Sequence, residues 1–519
     1  MLVRDRVVIG CGLLFLGWAF GGFSAGPAAA QEHPPTQPPA PAQMKAEKSN
    51  MNLVGFNDLQ ARSAYQPTIH KQGDRWIAYV GHLAGTALNP LTGKMEENGT
   101  SIVDVTDPKQ PKYLAHIPGE ATPTGPGNGA QMVRVCDGSS LPRADRSKVY
   151  MLRSFGSSAH EIWDTTDPAK PTRLTVVVSG LSDTHKSFWE CGTGIAYLVG
   201  GAPGWRVKRM TMVYDLSDPA KPVFIRYFGL PGQQPGATGP VPTELHGMIS
   251  MPDVNRVYFG YGTDSNGVMQ IVDRDKLLKG SPDPTDANLA YPQISRLDLP
   301  PDIGSHTAYP LLGMELPEFA KEKPRTPAAA AGVDHVMISS GPPMAANQST
   351  RNFVLSVGET LGNECLDNRQ MLRVIDVTSE TRPFGVATWT VPEASGNFCS
   401  RGGRFGSHSL NENMTPIYYR RVVFISEFNA GVRALDIRDP LNPKEIAYYI
   451  PAATDKTDSR CIGQGAAMTC KTAIQTDNAE VDDRGYIYIV DRANTGMHVL
   501  ELTGAAKQVA NWSAVTSQR

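Results

Sequence analysis

Short stretches in which apolar and polar residues alternate recur along the chain, and most of them end on an aspartate. The copies are Ser101-Ile-Val-Asp-Val-Thr-Asp-Pro108, Glu161-Ile-Trp-Asp-Thr-Thr-Asp-Pro168 and Met212-Val-Tyr-Asp-Leu-Ser-Asp-Pro219. Gln270-Ile-Val-Asp-Arg-Asp275, Arg373-Val-Ile-Asp-Val-Thr378 and Ala434-Leu-Asp-Ile-Arg-Asp-Pro440 follow, and Met497-His-Val-Leu-Glu-Leu-Thr503 is a worn last copy. The alternation predicts half-buried strands. Asp-Pro ends four of them, because proline fixes φ and removes a donor while aspartate bonds the turning backbone. A further apolar strand stands upstream of each aspartate, as in Trp76-Ile-Ala-Tyr-Val80, and another stands downstream, as in Lys112-Tyr-Leu-Ala-His-Ile117. An innermost strand before these completes four. The central acids at 104, 164, 215, 273, 376, 436 and 501 lie 51 to 65 residues apart, except for one gap of 103 between Asp273 and Asp376. Tandem units of this length predict an all-β chain, a seven-bladed β-propeller of four-stranded antiparallel blades over 52–519, with an insertion around 280–370. Two β-sandwich domains are the runner-up architecture. The worn last copy leaves residues 52 to 62 as the expected source of a strand that fastens the ring.

The repeat endings, of the form (Leu/Ile)-Val-x-Asp-x-x-Asp-Pro, resemble the LVIVD-repeat family of exported bacterial propeller proteins. The resemblance covers roughly residues 100 to 503. It implies the propeller fold and leaves function to be argued from a site.

The N-terminus bears on the compartment. Arg4 and Arg6 precede an apolar run from Val7 to Phe23, and Ala28-Ala29-Ala30 follows. That order predicts a signal peptide over 1–30, and hence a periplasmic or secreted protein. Residues 31–51, with five prolines in the first dozen, read as a tether outside the fold. No later stretch is apolar enough to span a membrane. Without Arg4, Arg6 and Asp5 the chain carries 47 basic and 50 acidic residues, a balance that argues against nucleic acid as a partner. The expected partner is a small-molecule substrate, and the oligomeric state is open. Six cysteines remain after cleavage, and an even count in an exported chain predicts disulfides. Cys461 and Cys470 lie in one glycine-rich loop and form the easiest pair; Cys365 with Cys399 and Cys136 with Cys191 would complete one of fifteen possible pairings.

Eleven histidines are few enough to place singly. Five of them fall where an innermost strand begins: Thr68-Ile-His70, Asp183-Thr-His185, Glu244-Leu-His246, Gly304-Ser-His306 and Gly406-Ser-His408. His70, His185, His246 and His408 precede their aspartates by 34, 30, 27 and 28 residues, and His306 by 70 across the insertion. The matching slots elsewhere hold Gln131 and either Asn478 or Glu480. Innermost strands of a propeller surround one axis, so this register predicts a ring of imidazoles, and imidazole suits copper, iron and zinc. A repeat that inherits one structural histidine per unit would give the same register without metal. These histidine-led strands look, more loosely, like those of metal-centred propellers such as copper-dependent oxidases and the selenium-binding-protein group. That likeness implies a copper or iron ion held by His70, His185, His246, His306 and His408, and oxidation of a small organic or sulfur-containing substrate. Glu190 and Glu244 are the candidate general acids or bases, with Asp183 a third. Arg401-Gly-Gly-Arg404 places two guanidiniums near the expected channel mouth, where Arg401 and Arg404 would meet an anionic ligand. Tyr65, Phe188, Trp189, Tyr309 and Phe405 would line a substrate pocket or fill the core. The alternatives are a non-enzymatic propeller presenting its loops to a protein or polymer, and a calcium-dependent hydrolase. The second is disfavoured because calcium prefers oxygen ligands.

Overall fold

The computed structural model describes residues 45–121, 129–316 and 350–510. The expected signal peptide lies outside them, as does most of the expected tether.

The chain is all-β, built from four-stranded antiparallel sheets in the manner of a β-propeller. In the first sheet Ala64–Gln72, Arg75–His82, Thr100–Asp104 and Lys112–Ile117 pair in chain order. The plan recurs in the sheets that begin with Val133–Asp137, Ser187–Trp189, Leu245–Met251 and Thr307–Glu315. Two further sets, led by Phe405–Leu410 and Thr476–Val481, belong to one nine-stranded path.

The repeat motif has a local cause. The first aspartate ends the third strand and accepts a hydrogen bond from the backbone N–H two residues on, as in Asp104 with Thr106 at 2.9 Å, Asp215 with Ser217 at 2.8 Å and Asp376 with Thr378 at 2.8 Å. The second aspartate repeats the device, Asp107 with Lys109 at 3.0 Å and Asp167 with Ala169 at 3.0 Å. Thr106 Oγ1 also accepts from Trp76 N at 3.0 Å, which ties the turn to the second strand. The Asp273 copy behaves differently: Asp273 caps the helix Arg274–Lys279 by accepting from Lys276 N at 2.9 Å.

Apolar side chains from both faces of each sheet form the core. Val199, Leu245, Phe259 and Val272, for example, are fully buried between two neighbouring sheets. Each such side chain contributes about 1.5–3 kcal/mol by leaving water. The innermost strands touch one another in sequence. Thr68 Oγ1 donates to Val133 O at 2.8 Å, Arg134 Nε to Ser187 O at 2.8 Å, and Thr307 Oγ1 lies 3.2 Å from Ser409 Oγ. The last of them returns to the first: Asn478 Nδ2 donates to Tyr65 O at 2.8 Å.

Residues 52 to 62 supply a fastening strand as expected. Met51–Asn57 pairs antiparallel with Met497–Leu502 from the far end of the chain. The tether ends earlier than expected, however. Glu47–Ser49 pairs with the edge strand Lys444–Ile450, whose outer backbone groups would otherwise face solvent, and Asn50 Nδ2 donates to Ile446 O at 2.9 Å. The 280–370 insertion is also divided by the fold. Gln293–Asp298, Thr307–Glu315 and Thr350–Val357 are regular sheet strands, so the surplus length lies in the helical stretch 274–290 and between residues 316 and 350.

The expected cysteine pairs all form: Cys136–Cys191, Cys365–Cys399 and Cys461–Cys470. The last crosses a hairpin, Ser459–Ile462 against Thr469–Thr472. No helix among the described residues is long and apolar enough to cross a membrane.

Candidate functional site

Four of the five expected histidines meet. His185 Nε2 and His246 Nε2 are 3.1 Å apart. The rings of His246 and His306 lie 3.6 Å apart, and those of His306 and His408 4.6 Å apart. All four are buried. Glu359 completes the group: Oε2 lies 4.0 Å from His246 Nε2 and 3.9 Å from His306 Nε2, and Oε1 lies 3.7 Å from His408 Nε2.

A neighbouring acceptor fixes one tautomer. His408 Nδ1 lies 2.5 Å from the carbonyl oxygen of Asp477, which can only accept. His408 therefore carries its proton on Nδ1, and its Nε2 lone pair lies 3.5 Å from Arg492 Nη2. His185 Nδ1 contacts the side-chain amide of Gln131. Tyr65 O–H, 3.1 Å from His185 Nε2 and 3.4 Å from His306 Nε2, donates into this group. His306 Nδ1 lies 3.0 Å from Thr307 Oγ1, and His246 Nδ1 is buried with no partner among the described residues.

Burial pushes the His185, His246 and His306 imidazoles well below their ordinary range, and His408 down to about 3. They stand as neutral rings, the form that ligates metal. Burial alone would raise Glu359, but His408, Arg492 and Arg404 hold it well below the usual carboxylate range, so it is an anion. Burial raises the Tyr65 phenol, which keeps its proton.

An ion with metal–nitrogen bonds of about 2.0–2.1 Å keeps its ligand atoms roughly 3–4 Å apart. The ligand atoms of His185, His246 and His306 lie within 4.8 Å of one another, and so do those of His306, Glu359 and His408. A set of neutral imidazoles with one carboxylate therefore suits a transition metal.

A cavity of about 1180 Å³ opens onto this group, with Tyr65, Gln131, His185, His246 and Glu359 among its lining residues. Glu244 lines it as expected, and burial raises its carboxyl, which suits proton exchange. Asp183 lines it too, paired with Arg209 at 3.2 Å. Arg404 lines it and donates to Glu359 Oε1 at 2.8 Å. Arg492, which was not anticipated, donates to the same oxygen at 3.2 Å.

Three expectations are corrected. His70 is not in the group; its Nε2 lies 3.0 Å from Asp137 Oδ1. The cause is a hairpin, Thr86–Asn89 with Lys94–Glu97, inserted between the second and third strands of the first sheet. It lengthens the path to Asp104, so the slot residue is Tyr65, 39 positions before that aspartate. His70 sits five residues further along the strand, about 17 Å at 3.3 Å per residue. Glu190 lies at the far end of its strand, held by Arg274 at 2.6 and 2.9 Å, Tyr197 at 2.9 Å and Ser250 at 2.6 Å; it is part of a buried ion-pair network. Arg401 turns away, donates to Glu47 at 2.7 Å and stacks over Phe398. Gly402 and Gly403, at φ of +91° and +67°, cause this divergence, because a left-handed pair reverses the chain between the two arginines. Of the aromatic candidates, Tyr65 faces the site, while Trp189, Tyr309 and Phe405 are core residues and Phe188 packs against the core.

Glu359 was missed. Its signal is modest: it lies in the loop just past Thr350–Val357, where an apolar strand runs into Gly-Glu-Thr. Arg492, immediately after Ile487–Asp491, carries a similar signal.

No family model matches the chain, and no curated protein does. Among solved structures, the chain is similar to a hypothetical selenium-binding protein from Sulfolobus tokodaii, at 12% identity over 79% of this chain and 83% of that one, with a TM-score of 0.45. Sqt1 from Chaetomium thermophilum is similar at 8% identity over 87% and 98%, with a TM-score of 0.46. A protein from Lactobacillus plantarum is similar at 10% identity over 86% and 89%, with a TM-score of 0.41. Likeness at this level leaves function to the residues of the site.

Proposed function

We propose that this chain is an exported, seven-bladed β-propeller metalloenzyme that binds one copper or iron ion and oxidises a small organic or sulfur-containing substrate. The seven blades follow from dividing the nine-stranded sheet at its single joining pair, Phe428 with Thr476, which leaves one four-stranded set and a second one that carries Glu47–Ser49 as an added fifth strand on its edge. Export is supported by the three disulfides and by the signal-like N-terminus.

The observation that carries the metal reading is the pair of overlapping ligand groups, His185 with His246 and His306, and His306 with Glu359 and His408, all buried and sharing His306. Asp477 O and Gln131 hold the outer nitrogens of His408 and His185. His185, His246, His306 and His408 would hold the ion, with Glu359 as a further ligand or as the group that orients them. When bound, the metal would supply redox capacity. Tyr65 places its O–H beside His185 and His306, at 3.1 and 3.4 Å, where it can hold a proton. Glu244 is placed to exchange protons between the cavity and solvent. Arg404 and Arg492 keep Glu359 ionised and aimed.

Metal analysis of tag-free protein prepared from the periplasm tests the reading. About one ion per chain, lost in His246→Ala and His306→Ala, is the expected result. Substoichiometric metal that survives both substitutions would sink it, and would leave a binding propeller. That second reading has its own support: the hairpin beside the cavity exposes Leu88, Leu91 and Met95 at 53%, 58% and 64%.

A further inference from the structure

The cavity above the imidazoles is lined unevenly in charge. Lys208, Arg209, Arg404, Arg460 and Arg492 face four acids, Asp183, Glu244, Glu359 and Asp458. Most of these charges have settled partners. Arg404 and Arg492 converge on Glu359, Arg492 also lies 2.6 Å from Asp477, and Arg209 pairs with Asp183. Arg460 is different. It makes no ion pair among the described residues, although Asp458 lies two positions before it. Its one hydrogen bond runs from Nη2 to Arg492 O at 2.9 Å, and its Nε is buried without a partner. A guanidinium in that state costs stability unless something else completes it.

The chain holds Arg460 there by covalent means. It immediately precedes Cys461, in the hairpin closed by Cys461–Cys470. That hairpin is tied to the loop of the second rim disulfide, Cys365–Cys399: Asn363 Nδ2 donates to Cys461 O at 3.1 Å, and Lys471 Nζ to Glu364 at 2.7 Å. The same loop begins at Glu359. Two cross-linked segments thus fix this guanidinium in the wall of the cavity that His185 and His246 also line, which is how a site is preorganised for an anion.

We infer that the cavity takes a small organic carboxylate, seated on Arg460 with Arg404 beside it, so that the rest of the molecule points down toward His185, His246 and Glu359. A planar guanidinium with free donors matches a planar carboxylate. The inference deepens the proposed function by naming its substrate class, and rests on the cavity being the substrate entrance.

The test uses the mature, tag-free chain stripped of metal, so that it does not depend on the metal reading. Acetate, benzoate and succinate are titrated by calorimetry, each against its uncharged amide. At least one acid should bind ten times more tightly than its amide. Arg460→Gln should weaken that acid about tenfold, the loss of one charge-assisted hydrogen bond. Arg460→Lys, which keeps the charge but not the fork, should fall between the two, and it decides the matter if the glutamine variant does not fold. The inference is overturned if no acid is preferred over its amide, or if the preference survives the Arg460 substitutions unchanged.

Discussion

Two layers of buried polar side chains lie one after the other along the innermost strands, and they are built on opposite principles. In the imidazole layer, His185, His246, His306 and His408 crowd their Nε2 atoms together and face a cavity. One position on from His185, Lys186 enters a second layer, in which its Nζ lies 2.5 Å from Glu412 Oε1 and Arg134 holds the other carboxylate oxygen. Glu412 N and Asn413 N both donate to Glu480, at 3.0 and 3.2 Å. The second layer answers its charges with partners from the chain itself. The first brings imidazole nitrogens and one carboxylate together beside a cavity. Burial of polar groups is therefore no sign of function by itself; the informative feature is burial with unmet coordinating capacity.

The largest expected effect comes from breaking the paired layer. Glu412→Leu strands Lys186 and Arg134 in the core and should cost about 3–5 kcal/mol in urea unfolding. Adding Lys186→Met should recover part of that loss. A loss below 1 kcal/mol would mean that the two layers do not differ in this way. Next, His306→Ala should reduce bound metal from one ion per chain to near zero, while the unfolding midpoint of the stripped protein moves far less than in Glu412→Leu. An equal loss of midpoint would make the imidazoles structural.

Acid should separate the layers by pH. His408 titrates near 6.5 when unfolded but only at about 3 when folded, because burial disfavours its charge. Below pH 6.5 the unfolded chain binds the extra proton, so this contribution is complete above 6.5 and is lost as pH falls toward 3. For Glu412, burial pushes the carboxyl up, but Lys186 and Arg134 outweigh it and hold it below its ordinary 4.5. Its contribution is present above 4.5 and is lost only at lower pH. Urea midpoints of the stripped protein should therefore begin to fall between pH 6.5 and 4.5, before the carboxylate layer responds. His408→Asn should flatten that upper slope by about one proton, roughly 1.4 kcal/mol per pH unit; identical slopes would refute the assignment. The smallest effect is expected from Tyr65→Phe, which should cost about 0.5–1.5 kcal/mol and keep the metal bound. Loss of metal in that variant would make Tyr65 a ligand.

How far the site could be read from the chain depended on what interrupts the repeat. The distance from His185, His246 and His408 to the following aspartate varies by only three residues, so the register between sheets carried through to three dimensions. In the first sheet an inserted hairpin broke the ruler, and His70 was taken where Tyr65 stands. Glu190 failed for a related reason. It is five residues from His185 in sequence, but in an extended strand that is about 17 Å, too far to serve the same centre.

The alternation of apolar residues and the aspartate-capped turns act over a few residues, so they are written locally. They determined the strands, the repeat and which histidines share a register. The cysteine pairs were open to fifteen solutions until the fold brought each pair together. Glu359, Arg492 and Arg460 come from separate segments of the chain, and their modest local signals do not say what they face. Only closure of the sheets around one axis placed that carboxylate among the imidazoles and left the Arg460 guanidinium in the same cavity with one hydrogen bond and no ion pair among the described residues, because burial and pairing belong to the whole fold.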